Sequence, residues 1–160
     1  MNAADEVESI LKKLVEQNPT GFAIGLHVSF TTSKFLFQTY RKDWMEEYSR
    51  RGFILHDPTV RWGLQNNGWR RWSDLAGDDE VGVFEAARKF NLLYGVTVAL
   101  EESGTKSFGS VGSSEREFNE EEIQGFFSSV ERMHALTADD VLSAADAAKL
   151  RKLAISSTHS

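Results

Sequence analysis

Between residues 3 and 16 the apolar side chains Val7, Ile10, Leu11, Leu14 and Val15 recur at helical spacing, and the pattern stops before Asn18-Pro19. It predicts an amphipathic helix with a defined end. The texture then changes. Residues 22–30 are rich in Ile, Val and Phe, and residues 34–39 are similarly β-prone, so two antiparallel strands joined through Thr31-Thr32-Ser33 are expected. Tyr40, Trp44 and Tyr48 follow at four-residue intervals. A step of four advances a helix by roughly 400°, so the three rings drift by only about 40° each and share one face. Arg41, Lys42, Asp43, Glu46, Glu47, Arg50 and Arg51 fall between them, on the wet face of the same helix. Beyond Pro58 the pattern predicts a short helix, a Gly68-Trp69 turn, a brief strand near Trp72 and a helix over 80–90. Strands at 95–100 and 106–111 flank a Glu102-Ser103-Gly104 turn as a hairpin. Two helices, 119–134 and 138–153, close the chain, and 155–160 reads as a frayed end. This order predicts an α+β fold, an α-β-α sandwich whose central antiparallel sheet of about five strands is covered on both faces.

An aromatic stripe at this spacing is ordinarily core filling. Buried indole N–H and phenol O–H groups need partners, however, and three of them on one face make a polar wall for a plain core. A ligand carrying carbonyls would satisfy them. Asp57 ends the apolar run Phe53-Ile54-Leu55-His56 and precedes Pro58, at a forced turn. It suits the N-cap of a helix beginning at Pro58, and it equally suits a polar anchor in a mostly apolar pocket.

Trp44, Tyr48, Asp57 and Trp72, at intervals of 4, 9 and 15, resemble the ligand-pocket signature of the autoinducer-binding domain of LuxR-type quorum-sensing regulators. Asp57-Pro58-Thr59-Val60 resembles the family's Asp-Pro turn, and 84–97 (FEAARKFNLLYGVT) resembles its helix leading into a strand that opens with Tyr-Gly. The similarity runs over 22–130, with Ala99 standing where many members carry Pro. It implies a single autoinducer-binding domain over 1–160, with an N-terminal helix in 1–18 and without the family's helix-turn-helix DNA-binding domain. It also implies an N-acyl homoserine lactone as ligand. Trp44 would donate to the lactone carbonyl, Asp57 would accept from the amide N–H and Tyr40 would donate to the amide carbonyl, with Thr59 adding a polar contact. Trp72 would pack on the lactone ring and Tyr48 along the acyl chain, both burying area without forming bonds. Phe84 and Leu93 are candidate tail contacts, although residues of this kind more often serve only as core, and Ser110 is a candidate for the amide carbonyl. A homodimer in the cytoplasm is the family expectation. The alternatives are a free-standing domain that modulates a full-length receptor by heterodimerisation, and an orphan receptor for another acylated small molecule.

Composition narrows the classes. With 160 residues, 41% of them hydrophobic, the chain can bury one core of ordinary size. A net charge of −6 opposes polyanion binding, so no direct nucleic-acid contact is expected of this segment. The absence of Cys excludes disulfides, thiol catalysis and thiolate metal sites. The first residues carry acids where a secretory signal needs a basic start, and no apolar run approaches the roughly 20 residues of a membrane span. His56 and Asp57, adjacent in extended chain, would point apart and are a poor catalytic pair. There is no G-x-S-x-G elbow, no phosphate loop in Gly109-Ser110-Val111-Gly112-Ser113-Ser114 and no metal-ligand spacing, while Glu120-Glu121-Glu122 suits the first turn of a helix. No enzymatic activity, metal or cofactor is expected.

Overall fold

The computed structural model describes residues 2–158. Helix α1 (Ala3–Gln17) is capped by the Asn2 side chain, which accepts from the Asp5 N–H, and buries Ala4, Val7, Leu11 and Leu14. Strands β1 (Phe22–Ser29) and β2 (Thr32–Gln38) form a hairpin tighter than expected: Ser29 pairs directly with Thr32, leaving Phe30-Thr31 alone as the link. Helix α2 (Lys42–Arg50) is followed by a 3-10 turn at Phe53–Leu55 and by α3 (Pro58–Gln65), with Asp57 as its N-cap. β3 (Gly68–Arg71) precedes Trp72, not spanning it, because its four residues pair with β4 from Ala99 back to Val96 and Trp72 opens α4 (Trp72–Leu75). Helix α5 (Val83–Arg88) is shorter than the 80–90 expected. The Asp79 carboxylate accepts from the N–H groups of Val83 and Phe84 and fixes its start.

Strands β4 (Tyr94–Glu102) and β5 (Thr105–Ser113) meet at the predicted Ser103-Gly104 turn. Helix α6 (Glu120–Leu136) starts in a capping box formed by Asn119 and Glu122. Helix α7 (Ala144–Thr158) begins later than position 138. The Lys34 ammonium donates to the Thr137 carbonyl and to Asp139, and Leu142 N–H bonds back to Ala138, so this stretch is held as turns. Part of the end expected to fray is therefore helical, to Thr158; positions 159 and 160 lie outside the described residues.

The sheet is antiparallel throughout, in the order β2-β1-β5-β4-β3, and is covered on both faces, an α-β-α sandwich. Its two faces are unequal. Toward α1, α6 and α7 it presents Phe22, Ile24, Leu26, Phe35, Phe37, Val96, Val98, Leu100 and Val111, which form the main core with Ile123, Phe126, Val130, Met133 and Leu150. Strand alternation places Ala23, Gly25, Gly95, Thr97, Ala99, Ser110 and Gly112 on the opposite face together with one large residue, Phe108, under α2 to α5. Small side chains there leave room between sheet and helices.

A polar knot ties α6 to the sheet. β1 bulges between Gly25 and Val28, where His27 has φ of 53°. Its ring stacks on that of His134, with centroids 4.4 Å apart. His27 Nδ1 lies 2.8 Å from the Thr105 hydroxyl and Nε2 lies 3.0 Å from that of Thr137. Buried His134 has Nδ1 2.6 Å from the hydroxyl of Ser107, itself fully buried. The pair thus resembles a catalytic dyad in distance but has no access for a substrate.

Burial, and then the neighbouring His134, lower the pKa of His27 from its ordinary 6.5. The unfolded chain therefore takes up the proton more readily. This contribution to stability is complete above 6.5 and is lost as pH falls through the lowered folded value. Urea midpoints measured from pH 7.5 to 5.5 should fall more steeply for the native chain than for His27→Gln; parallel curves would remove this assignment.

Candidate ligand-binding pocket

The gap between the small-residue face and the helices is a cavity of about 570 Å³. Its aromatic wall is built as the periodicity predicts for Trp44 and Tyr48, which share one face of α2 with ring centroids 5.7 Å apart, edge to face. Phe53 and Phe90 pack against Trp44 behind the wall, 6.1 and 5.4 Å from its ring. Tyr40 requires a correction, because α2 starts only at Lys42. Pairing continues past β2 through Thr39, whose N–H bonds to the Phe22 carbonyl, and Tyr40 packs over Gly21, where a Cβ would lie 2.8 Å from its ring. Tyr40 reaches the cavity from the end of the sheet, and its hydroxyl donates to the Ser110 carbonyl at 3.2 Å.

Asp57 is both N-cap and pocket carboxylate. Its Oδ1 accepts from the Thr59 N–H at 2.8 Å and the Thr59 hydroxyl at 2.7 Å, while Oδ2 accepts from the Tyr48 hydroxyl at 2.7 Å. Burial pushes the pKa of this carboxyl up, against the opposing pull of the bonds from Thr59 and Tyr48. Burial, followed by the Asp57 charge, likewise raises the hydroxyls of Tyr40 and Tyr48, which stay protonated donors. Tyr48 was expected only to bury area; it also orients the carboxylate. His56 is exposed while Asp57 is buried, so the two do not work together.

Trp72 lies flat on the sheet. A Cβ on Gly95 would sit 2.1 Å from its ring, and one on Gly112 would sit 3.3 Å away, so these glycines are the seat of the indole. It stacks on Phe84, with centroids 5.7 Å apart. Contrary to a purely packing role, its Nε1–H donates to the Thr97 hydroxyl at 3.2 Å, and that oxygen is 2.6 Å from the hydroxyl of Ser110. For the Trp44 indole N–H there is no protein acceptor among the described residues, although Trp44 lines the cavity.

Tyr40, Trp44, Tyr48, Asp57, Thr59, Trp72, Phe84 and Ser110 all line this one cavity, but Leu93 does not. Leu92 takes its place, because the turn after α5 bonds the Leu92 N–H to the Ala87 carbonyl and the Leu93 N–H to Ser113, presenting the earlier leucine. Sequence reading missed Thr97, Gly95 and Asp79. For Asp79 a signal existed, an acidic residue ahead of Gly82 and an apolar helix start; the other two depend on cross-strand register.

Comparison with known proteins agrees with this geometry. The autoinducer binding domain family matches residues 21–144. This chain belongs to the autoinducer-binding domains of LuxR-type regulators. The transcriptional activator SolR of Ralstonia nicotianae is 36% identical over 75 residues, 45% of this chain and 32% of SolR. VanR of Vibrio anguillarum is 27% identical over 131 residues, 74% of this chain and 54% of VanR. The matches thus span a third to about half of these longer activators. Among solved structures, SdiA in complex with octanoyl-rac-glycerol aligns with a TM-score of 0.61 at 23% identity, covering 89% of this chain and 64% of SdiA. CepR2 of Burkholderia cenocepacia, described as an N-acylhomoserine lactone dependent factor of the LuxR family, aligns at 0.62 with 12% identity, over 88% and 85% of the two chains. Both share the fold of this autoinducer-binding domain. No helix among its described residues is long and apolar enough to cross a membrane.

Two outcomes follow from the packing and the carboxylate. Gly95→Ala should cost at least about 1–3 kcal/mol in urea unfolding and shift the tryptophan emission, since the ring of Trp72 must leave its seat. For Asp57, a folded pKa above the ordinary 3.8 means that its favourable share of stability is complete below 3.8 and is lost as pH rises through the raised value. The native chain should therefore lose stability relative to Asp57→Asn between pH 4 and 8. A pH-independent difference between the two midpoints would contradict the raised value.

Proposed function

We propose that this autoinducer-binding domain senses an N-acyl homoserine lactone. One observation carries the reading: the Trp44 indole N–H, without a protein acceptor among the described residues, lines the same apolar cavity as the buried carboxylate of Asp57. A lactone carbonyl would accept from Trp44 and an amide N–H would donate to Asp57, so one ligand answers a donor and an acceptor at once. Tyr40 and the Ser110 hydroxyl stand by for the amide carbonyl, and the part of Trp72 that lines the cavity stands by for the ring. The aromatic wall and the small-residue floor take the tail, whose burial at roughly 25 cal/mol per Å² supplies most of the affinity while the polar groups set orientation. We propose no catalytic step. Dimerisation and the passage of the signal to DNA belong, on this reading, to a longer regulator that carries such a domain.

A second reading keeps the pocket and changes the head group. The solved SdiA complex holds an acylated glycerol, and the hydroxyls of Ser110 and Thr59 could serve a polyol. The test is thermal stability against both ligand kinds. A lactone at 100 times its Kd should add about 2.7 kcal/mol, a shift of several degrees. Trp44→Phe should weaken lactone binding by about 1–3 kcal/mol and Asp57→Asn by a similar amount, through one lost donor and one lost charge-assisted acceptor. Unchanged binding in both variants would reject the pose; a shift with the glycerol ester alone would favour the second reading.

A further inference from the structure

The cavity does not end beneath the aromatic wall. It continues along β1 toward the β1–β2 hairpin as an apolar trough whose lining takes in Gly25, Val28, Phe30, Leu36, Met45 and Ile54. Phe30 is 69% exposed, Leu36 42% and Ile54 39%. One exposed apolar side chain is unremarkable, but three around an opening continuous with an interior cavity form a patch that an occupant would cover. Lys42 and Glu46, also on the lining, carry opposite charges and favour neither sign of tail end.

Strand register gives the length of the trough. Ser110, whose carbonyl receives the Tyr40 hydroxyl, stands opposite Ala23, and Val28 lies five positions further along β1. At about 3.3 Å per residue, shortened by the bulge, the distance is roughly 13–16 Å. A straight hydrocarbon with C–C bonds of about 1.5 Å advances about 1.3 Å per carbon. The trough therefore matches about ten to twelve carbons. At Gly25 a Cβ would lie 2.8 Å from the Ser33 hydroxyl and 3.1 Å from Val28, so the missing side chain lets these two lining residues close over the strand and complete the wall of the trough.

We propose that this domain selects straight acyl tails of about ten to twelve carbons, with Phe30, Leu36 and Ile54 covering the far end of the tail. The inference rests on the acyl-ligand reading and extends it to tail length. Equilibrium binding of tails of 4, 6, 8, 10 and 12 carbons, carried on either homoserine lactone or glycerol, separates the two. Affinity should rise about threefold per added carbon through the longest tails. Leu36→Gln and Phe30→Ser, both at exposed positions and checked for unchanged circular dichroism, should flatten the rise beyond eight carbons. Affinity that levels off or falls beyond eight carbons, or variants that keep the native slope, would overturn the proposal. Glycerol esters showing the slope while lactones fail to bind would uphold it and reject the lactone head; binding by neither series would reject both.

Discussion

Everything at the pocket depends on the inequality of the two faces of the sheet. A strand sends successive side chains to opposite sides, so one sequence sets two surfaces at once. In β1, β4 and β5 one side carries large aliphatic and aromatic groups that lock to α1, α6 and α7. The other carries mostly Ala, Gly, Thr and Ser, with Phe108 as a large exception. The first side supplies the burial that makes the domain stable, and the second withholds it, leaving about 570 Å³ between sheet and helices. Protein interiors are otherwise close-packed, so a void of this size persists because its rim is held by other means.

Those means are the rigid aromatic groups and a buried carboxylate. Trp72 rests on Gly95 and Gly112, Phe84 stacks on Trp72, and Trp44 meets Tyr48, Phe53 and Phe90. Asp57 joins two of the covering elements, capping α3 while accepting from Tyr48 on α2. A charge in such a place is costly unless it is bonded, and three donors from Thr59 and Tyr48 meet that cost in part. Its raised pKa records the remainder. A ligand N–H directed at the same carboxylate would relieve what is left, which gives binding a direct energetic link to the stability of the helical cover.

The α6 side of the sheet has its own polar centre. His27, at a bulge in β1, stacks on His134 and bonds to hydroxyls from β5 and from the end of α6, while Lys34 holds the turn that follows. The same bulge shifts the register of β1 against β5 just before Val28, which lines the trough with Leu36. Position 27 thus serves the core on one side while shaping the strand on which the pocket depends.

Local chemistry alone determined much of this protein. The periodicities of α1 and of the α2 aromatics, the turn at Ser103-Gly104, the Asp57-Pro58 helix start and the β-prone runs of the strands were readable because each depends on residues a few positions apart. The family signature could be read for a related reason, since its rare residue types keep fixed intervals. Tertiary structure decided where segments meet. Tyr40 left the helix because the β1–β2 pairing runs on through Thr39, Leu92 replaced Leu93 because a loop bonded to Ala87 and Ser113 turned it inward, and α7 began late because Lys34 captured the preceding turn. The place of Trp72 above Gly95, and the joining of Thr97 to Ser110, depend on register between strands distant in sequence. No interval along the chain encodes that register; it is set by which faces of five strands can be buried together.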